Sequence, residues 1–333
     1  MKSTTKVLIS AVVAMMGFAA YAEKAPLRFS DNGKFKIVQF TDIHWKPGNP
    51  ASEEAAENMK AVLAAEQPDL VVITGDLVWA APAAEALDRA LGPVVESGIP
   101  FAVTWGNHDD EFDMTREELF ARMSGIPNNY TDSVADLSGV TNYILPLMSH
   151  DGTKKAAALY VLDSNSYSKL PAAKGYAGIQ HDQVAWYAKE SARLTAENGG
   201  TPLPAIAFFH VPLNEYNEAS GNESVPMTGT RGERACSGSV NNGMFGQILQ
   251  SGDIFATFVG HDHINDYATV YKGIALCYGR YSGGKTVYCN IPGGCGARII
   301  ELTEGDRGFK SYIRLKDGTV MNPVDFPADY QKK

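Results

Sequence analysis

Residues 35–44 read FKIVQFTDIH: a short, mainly apolar run ends at Thr41 and gives way to an aspartate and a histidine two positions apart. The run has the length and β-branched content of a buried strand. Downstream the chain alternates in the same manner. SEEAAENMKAVLAAEQ (52–67) has helical spacing, DLVVITG (69–75) is a second strand, AAEALDRALGPVVESG (83–98) a second helix, and IPFAVTWG (99–106) a third strand. Strands alternating with helices predict βαβ units and an α/β fold whose sheet is buried on its faces. AAALYVLD, HDQVAWYAKESARL, PAIAFFH, NNGMFGQILQSG and DIFATFVG repeat the theme.

Polar residues of one chemical kind follow these strands. FKIVQF leads into Asp42 and His44, VVITG into Asp76, FAVTW into Gly106-Asn107-His108-Asp109, AIAFF into His210, and FATFV into Gly260-His261-Asp262-His263. Five of the seven histidines fall in these places. In open α/β sheets ligands collect outside the carboxyl ends of strands, so the five groups are expected to meet. Any one of them could be a hydrogen-bonded cap. Together they would bury carboxylates and imidazoles at a cost that only a shared cation offsets. In an extended segment residues i and i+2 face the same way, which pairs Asp42 with His44 and His261 with His263 and turns Asp262 aside. The donors are oxygen and nitrogen without sulfur, a set for manganese, iron, zinc or nickel rather than copper(I). Seven ligands exceed one tetrahedral ion, so two ions bridged by a carboxylate are expected.

The first residues bound the setting. MKSTTKVLISAVVAMMGFAAYAEKAP carries Lys2 and Lys6, an apolar run from Val7 to Ala20, and Ala20-Tyr21-Ala22 before Glu23. That is the form of a secretory signal cleaved after Ala22, too short in its apolar part for a membrane span. Residues 1–22 are therefore read as a leader and 23–333 as one domain of an exported, periplasmic or secreted, protein with no membrane span. The formal charge of −9 argues against nucleic acid as a partner. Oxidising surroundings make disulfides plausible among Cys236, Cys277, Cys289 and Cys295, with three pairings open.

In their order the motifs Asp42-Ile43-His44, Gly75-Asp76, Gly106-Asn107-His108-Asp109, His210 and Gly260-His261-Asp262-His263 resemble those of the calcineurin-like metallophosphoesterases. ERACSGSVNNGMF, FVGHDHIND and ALCYGRYSG more narrowly resemble the branch related to purple acid phosphatases and Dcr2-type phosphatases. The resemblance implies a four-layer αββα sandwich with two central sheets. It implies that Asp42, His44 and His263 hold one divalent or trivalent ion, that Asn107, His210 and His261 hold another, and that Asp76 bridges them. A hydroxide held between the ions would attack phosphorus, His108 would stabilise the transition state or protonate the leaving oxygen, and Asp109 would orient its ring. The purple enzymes place a tyrosine three residues after the bridging aspartate. Here that residue is Trp79, which implies a colourless protein.

The expected activity is hydrolysis of small phosphate monoesters. A phosphodiesterase or nucleotide pyrophosphatase would use the same site, and a non-catalytic metal- or phosphate-binding module is the alternative of another class. Substrate contacts are sought between the motifs: Arg231 and Arg234 in the Gly- and Asn-rich loop 214–242, Arg280 beside Tyr281, and Tyr167. The sequence leaves metal identity, substrate and oligomeric state open. Glu53, Glu54 and Glu57 read as a solvated helix face, and His150 and His181 stay outside the site.

Overall fold

A computed structural model describes residues 24–222 and 224–331; the leader read at 1–22 lies outside them. In chain order the elements are β1 (Lys34–Thr41), α1 (Pro50–Glu66), β2 (Leu70–Thr74), α2 (Ala83–Ser97), β3 (Phe101–Thr104), α3 (Arg116–Met123), β4 (Tyr143–Met148), β5 (Lys155–Val161), α4 (His181–Glu197), β6 (Ala205–Phe208), α5 (Glu215–Ser220), β7 (Met227–Thr228), α6 (Met244–Ser251), β8 (Ile254–Val259), β9 (Ala268–Tyr271), β10 (Ile274–Tyr278), β11 (Arg280–Tyr281), β12 (Gly296–Thr303), β13 (Phe309–Leu315) and β14 (Val320–Phe326).

The strands form two sheets. One runs β14-β13-β12-β1-β2-β3, with β11 also paired to β1, and the other runs β4-β5-β6-β8-β10-β9-β7. The motif-bearing strands are parallel within each sheet: β1, β2 and β3 in the first, β6 and β8 in the second. Successive side chains go to opposite faces, and the burial follows. Ile37, Leu70 and Val72 join Leu159, Ile206, Phe208 and Phe258 in the core between the sheets. Val38, Val71 and Ile73 face outward onto Met59 and Val62 of α1 and Leu87 of α2. On the far side Ala207 and Val259 meet Tyr187 of α4 and Ile248 of α6. Three apolar layers between four layers of structure make the expected αββα sandwich.

Local chemistry sets the helix ends. Asn49 caps α1 by accepting from the N–H of Ala51 at 3.0 Å, and Pro50 fits the first turn. Thr115 and Glu118 close a reciprocal capping box on α3. Each fully buried Met or Val on these faces contributes about 1.5–3 kcal/mol of burial energy.

Two expectations need correction. The segment 214–242 is not bare loop, since α5 and β7 lie within it. Its anchor is Tyr216, fully buried, whose hydroxyl meets Thr257 at 2.8 Å. A six-residue helix with one large buried side chain is too short to show periodicity. The four cysteines are all free, and Cys277 is enclosed in the inter-sheet core. His181 opens α4 in solvent and His150 pairs with Glu304 at 2.9 Å, so both stand apart from the site. Among the described residues, no helix is long and apolar enough to cross a membrane.

Candidate metal centre

The strands carrying the motifs stop just short of them, and the ligand-type residues stand in the loops beyond. β1 ends at Thr41 and β8 at Val259, so the pairing of i with i+2 does not come from extended backbone as expected. Asp42 has φ 55°, His44 48°, Asp76 55° and His261 82°, all in the left-handed region. Non-glycine residues occupy it at a cost of about 1–3 kcal/mol each and stay only when neighbours hold them. The neighbours here are the two loops themselves: the N–H of Asp42 donates to Gly75 O at 3.1 Å, that of His44 to Asp76 O at 2.8 Å, and that of Trp45 to Leu77 O at 2.8 Å. Gly106 is demanded by close approach, because a Cβ there would lie 2.0 Å from Asp76 Oδ1.

These loops bring together every side chain read as a ligand from His/Asp chemistry. Asp42, His44, Asp76 and His263 offer donor atoms within 4.8 Å of one another, and so do Asp76, His210 and His261. Asp76 belongs to both sets. Asn107 is fully buried beside them, and its neighbour His108 donates its backbone N–H to Asp76 Oδ1 at 3.0 Å. The outer ring nitrogens of two histidines are tied back. Nδ1 of His210 donates to Thr74 O at 2.7 Å and Nδ1 of His263 to Tyr288 O at 2.9 Å, which turns each Nε2 inward as the atom that would meet an ion.

Electrostatics agree with a cation-binding role. Burial holds His44 and His261 well below the usual histidine range, keeping their lone pairs open. Burial also opposes the charge on His210, but the carboxylates of Asp76 and Asp42 outweigh it and raise that group to about 9. For Asp76 burial pushes upward, and the imidazole of His210 overcomes it and keeps the carboxyl well below its usual value.

Residues and ions fit one another on the molecule's own terms. His44 Nε2 and His263 Nε2 face each other at 3.0 Å and His210 Nε2 and His261 Nδ1 at 3.3 Å, so four ring nitrogens converge at distances where a shared proton or a cation stands between each pair. Asp76 Oδ2, Asn107 Oδ1 and His261 Nε2 are buried without a hydrogen-bond partner. A buried acceptor left so costs about 1–3 kcal/mol, and a coordinated cation removes the cost.

The structure redistributes the other assignments. Asp109 does not touch the His108 ring, contrary to expectation. Its carboxylate accepts four backbone N–H groups, from Asp76 (3.0 Å), Gly106 (2.7 Å), Leu77 (2.8 Å) and Val78 (3.0 Å), and so pins the loops after β2 and β3 together. The partner of His108 Nδ1 is Glu111, whose Oε2 lies 2.6 Å away. The other oxygen of Glu111 accepts from the hydroxyl of Tyr167 at 2.7 Å, and that hydroxyl lies 3.4 Å from Asn107 Nδ2. Tyr167 thus stands beside Glu111 and Asn107. Arg280 does not: it is fully buried, bonded to Asp266 at 2.6 Å and to the carbonyls of Pro292 and Gly294. Arg231 and Arg234 are exposed, and neither guanidinium pairs with a described residue. Asp262 turns aside to the hydroxyl of Tyr278 at 2.6 Å. Trp79 sets its ring edge-on to His44 and His108, with centroids at 4.9 and 4.4 Å.

Sequence reasoning missed Glu111 and the rim tyrosines. Tyr176 packs on His261 with centroids 4.2 Å apart and Tyr288 on His263 at 4.4 Å. Glu111 hides in the acidic run Asp109-Asp110-Glu111, where adjacency drew attention to the wrong carboxylate.

Comparison with known proteins agrees with this geometry. Residues 35–265 match the family model described as calcineurin-like phosphoesterase. A probable inactive purple acid phosphatase 29 of Arabidopsis thaliana is 34% identical over 78% of this chain and 75% of its own length. Phosphatase DCR2 of Saccharomyces cerevisiae is 32% identical over 91% of this chain and 57% of its own. A crystal structure of a dimetal phosphatase from Danio rerio shares the fold at a TM-score of 0.60 and 12% identity, covering 87% of this chain and 98% of that one. On the match across most of its length and the architecture that carries the motifs, the chain belongs to the calcineurin-like phosphoesterase family.

Proposed function

We propose that the protein is an exported, dinuclear metal-dependent hydrolase of phosphate monoesters. The observation that carries this reading is the pair of donor sets meeting on Asp76 with His108 beside them. Asp42, His44 and His263 would hold one ion, Asn107, His210 and His261 the other, and Asp76 both. Bound cations there would supply Lewis acidity toward a phosphoryl oxygen and make water acidic enough to react.

The chain's own residues supply the rest. Glu111 takes the Nδ1 proton of His108 in a hydrogen bond, which fixes the ring's orientation and tautomer and leaves Nε2 as the atom that serves the leaving oxygen. Trp79 closes one side of that ring with an apolar edge. Asp109 holds the loops bearing Asp76 and Asn107 in register, so the donors are placed before any ligand arrives. Trp79 brings no oxygen to a metal, which supports a colourless protein.

Two relatives' names pull in different directions, since one is called a probable inactive phosphatase and another a phosphatase. The favoured reading rests on this chain's intact donor set. The deciding experiment combines elemental analysis with hydrolysis of p-nitrophenyl phosphate and its bis-ester, with manganese, iron or zinc supplied. Two ions per chain with preference for the monoester is the expected result. Two ions without turnover would instead favour a binding module, and comparable rates on the bis-ester would favour a diesterase.

A further inference from the structure

Beside the metal centre lies a cavity of about 600 Å3 between the turn at 137–140, the segments 165–170 and 240–242, and the start of α3. It shares a wall with the site. Ser166 Oγ donates to the carbonyl of Asn107 at 3.1 Å, Tyr167 reaches Asn107 Nδ2, and both residues line the cavity. The cavity and the clustered donors are thus neighbours, adjoining through Ser166 and Tyr167.

The wall's chemistry selects what the cavity can hold. Its charged side chains balance, Asp110 and Glu117 against Arg116 and Lys169. Arg116 is committed to Asp163 at 2.9 Å and to the carbonyl of Gly106 at 2.5 Å, so the wall offers one exposed lysine and no group of cations for a second phosphate. What remains is hydrogen bonding. Ser138 and Ser168 present hydroxyls, and the side-chain amides of Gln180 and Asn242 line the same wall. Tyr167, 45% exposed and stacked on Tyr176 at a centroid distance of 5.6 Å, offers a flat apolar face at the junction. Hydroxyl partners around one aromatic face suit a ring that is polar at its edge and C–H-lined on its faces. The volume lies within the range of small-molecule sites.

We propose that this cavity seats the alcohol half of the substrate and that this alcohol is an uncharged polyol, a sugar or cyclitol. The inference rests on the phosphoesterase reading and narrows it to polyol monophosphates. In the reaction a water oxygen bonds to phosphorus, the bond between phosphorus and the ester oxygen breaks, and the polyol leaves with that electron pair and takes up a proton.

The test has two arms on the full chain. The first uses myo-inositol and glucose alone, detected by saturation-transfer NMR without any ester. Contact is expected, and it should be lost in Val240→Trp and in Leu170→Trp, two exposed wall positions where an indole fills the space. The second arm measures kcat/KM for glucose 6-phosphate relative to p-nitrophenyl phosphate, a ratio expected to fall at least tenfold in either variant. Polyol contact without turnover of any ester would sink the enzyme reading and keep the polyol site. Turnover of p-nitrophenyl phosphate with no polyol contact and an unchanged ratio would overturn the cavity assignment.

Discussion

Two clusters of buried charge draw on the same stretch of chain and solve opposite problems. Around Asp266, Arg280 and Arg298, all fully buried, the matching is internal. Arg280 bonds Asp266 and two carbonyls, Arg298 bonds the carbonyls of Tyr278 and Asp266 and the hydroxyl of Ser311, and Asp266 also accepts from the N–H of Thr230 at 2.6 Å. A few residues earlier His261 and His263 enter a cluster where ring nitrogen faces ring nitrogen and Asp76 Oδ2, Asn107 Oδ1 and His261 Nε2 lack hydrogen-bond partners. The first cluster is complete as protein and the second is not. Incompleteness at equal burial is the mark of a site built for a guest.

The sharpest way to break that contrast is at Asp76. Asp76→Asn should lower turnover at least about a thousandfold and reduce metal content at both positions, read by elemental analysis beside kinetics. Full occupancy in that variant would mean the carboxylate is not shared.

Next comes the self-contained cluster. Arg280→Ala leaves Asp266 as an uncompensated buried charge, and it should cost about 3–5 kcal/mol in denaturant unfolding. Removing metal with a chelator should lower the thermal midpoint of the wild type but leave the loss due to Arg280→Ala unchanged, because the two clusters share no partner.

A smaller effect is expected at Glu111. Glu111→Gln should reduce kcat about tenfold to a hundredfold on alkyl phosphates, whose leaving oxygen needs a proton, and little on p-nitrophenyl phosphate. Equal losses on both substrates would assign Glu111 a purely structural part.

The smallest concerns a peripheral pairing that is also complete. Glu66, 2% exposed in its side chain, meets Arg314 at 2.6 Å and Tyr312 at 2.7 Å. Burial pushes its pKa up, but the tyrosine and arginine outweigh it and hold the carboxyl below its usual 4.5. A depressed folded pKa stabilises above the unfolded value and is lost as pH falls through the folded one. Glu66→Gln should therefore cost about 1–3 kcal/mol near neutrality, and the gap to wild type should close as pH drops below 4.5. A gap independent of pH would show that charge plays no part.

Much of this was legible without coordinates, and the limits are physical. Strand runs such as DLVVITG and FATFV are apolar because both faces of β2 and β8 are covered, so their ends marked the site. That Asp42, His44, Asp76, His210, His261 and His263 would gather in one place followed from type and position, and Asn107 lies buried beside them. Side-chain direction did not follow, because it depends on backbone that has left the strand. Asp109 and Glu111 exchanged parts for that reason: the tight turn after β3 spends the nearer carboxylate on backbone N–H groups and brings the farther one round to the ring. Arg280 looked like a substrate clamp because sequence carries no sign of Asp266 waiting for it.

The left-handed backbone at Asp42, His44, Asp76 and His261 has a consequence for anyone who would move this centre elsewhere. Seven side chains copied onto a helix or a plain strand of another protein would point in the wrong directions, whatever their identities. What must be transplanted is the pair of clasped loops, with Gly106 beneath them and Asp109 as their rivet. The portable unit of this chemistry is a piece of main chain.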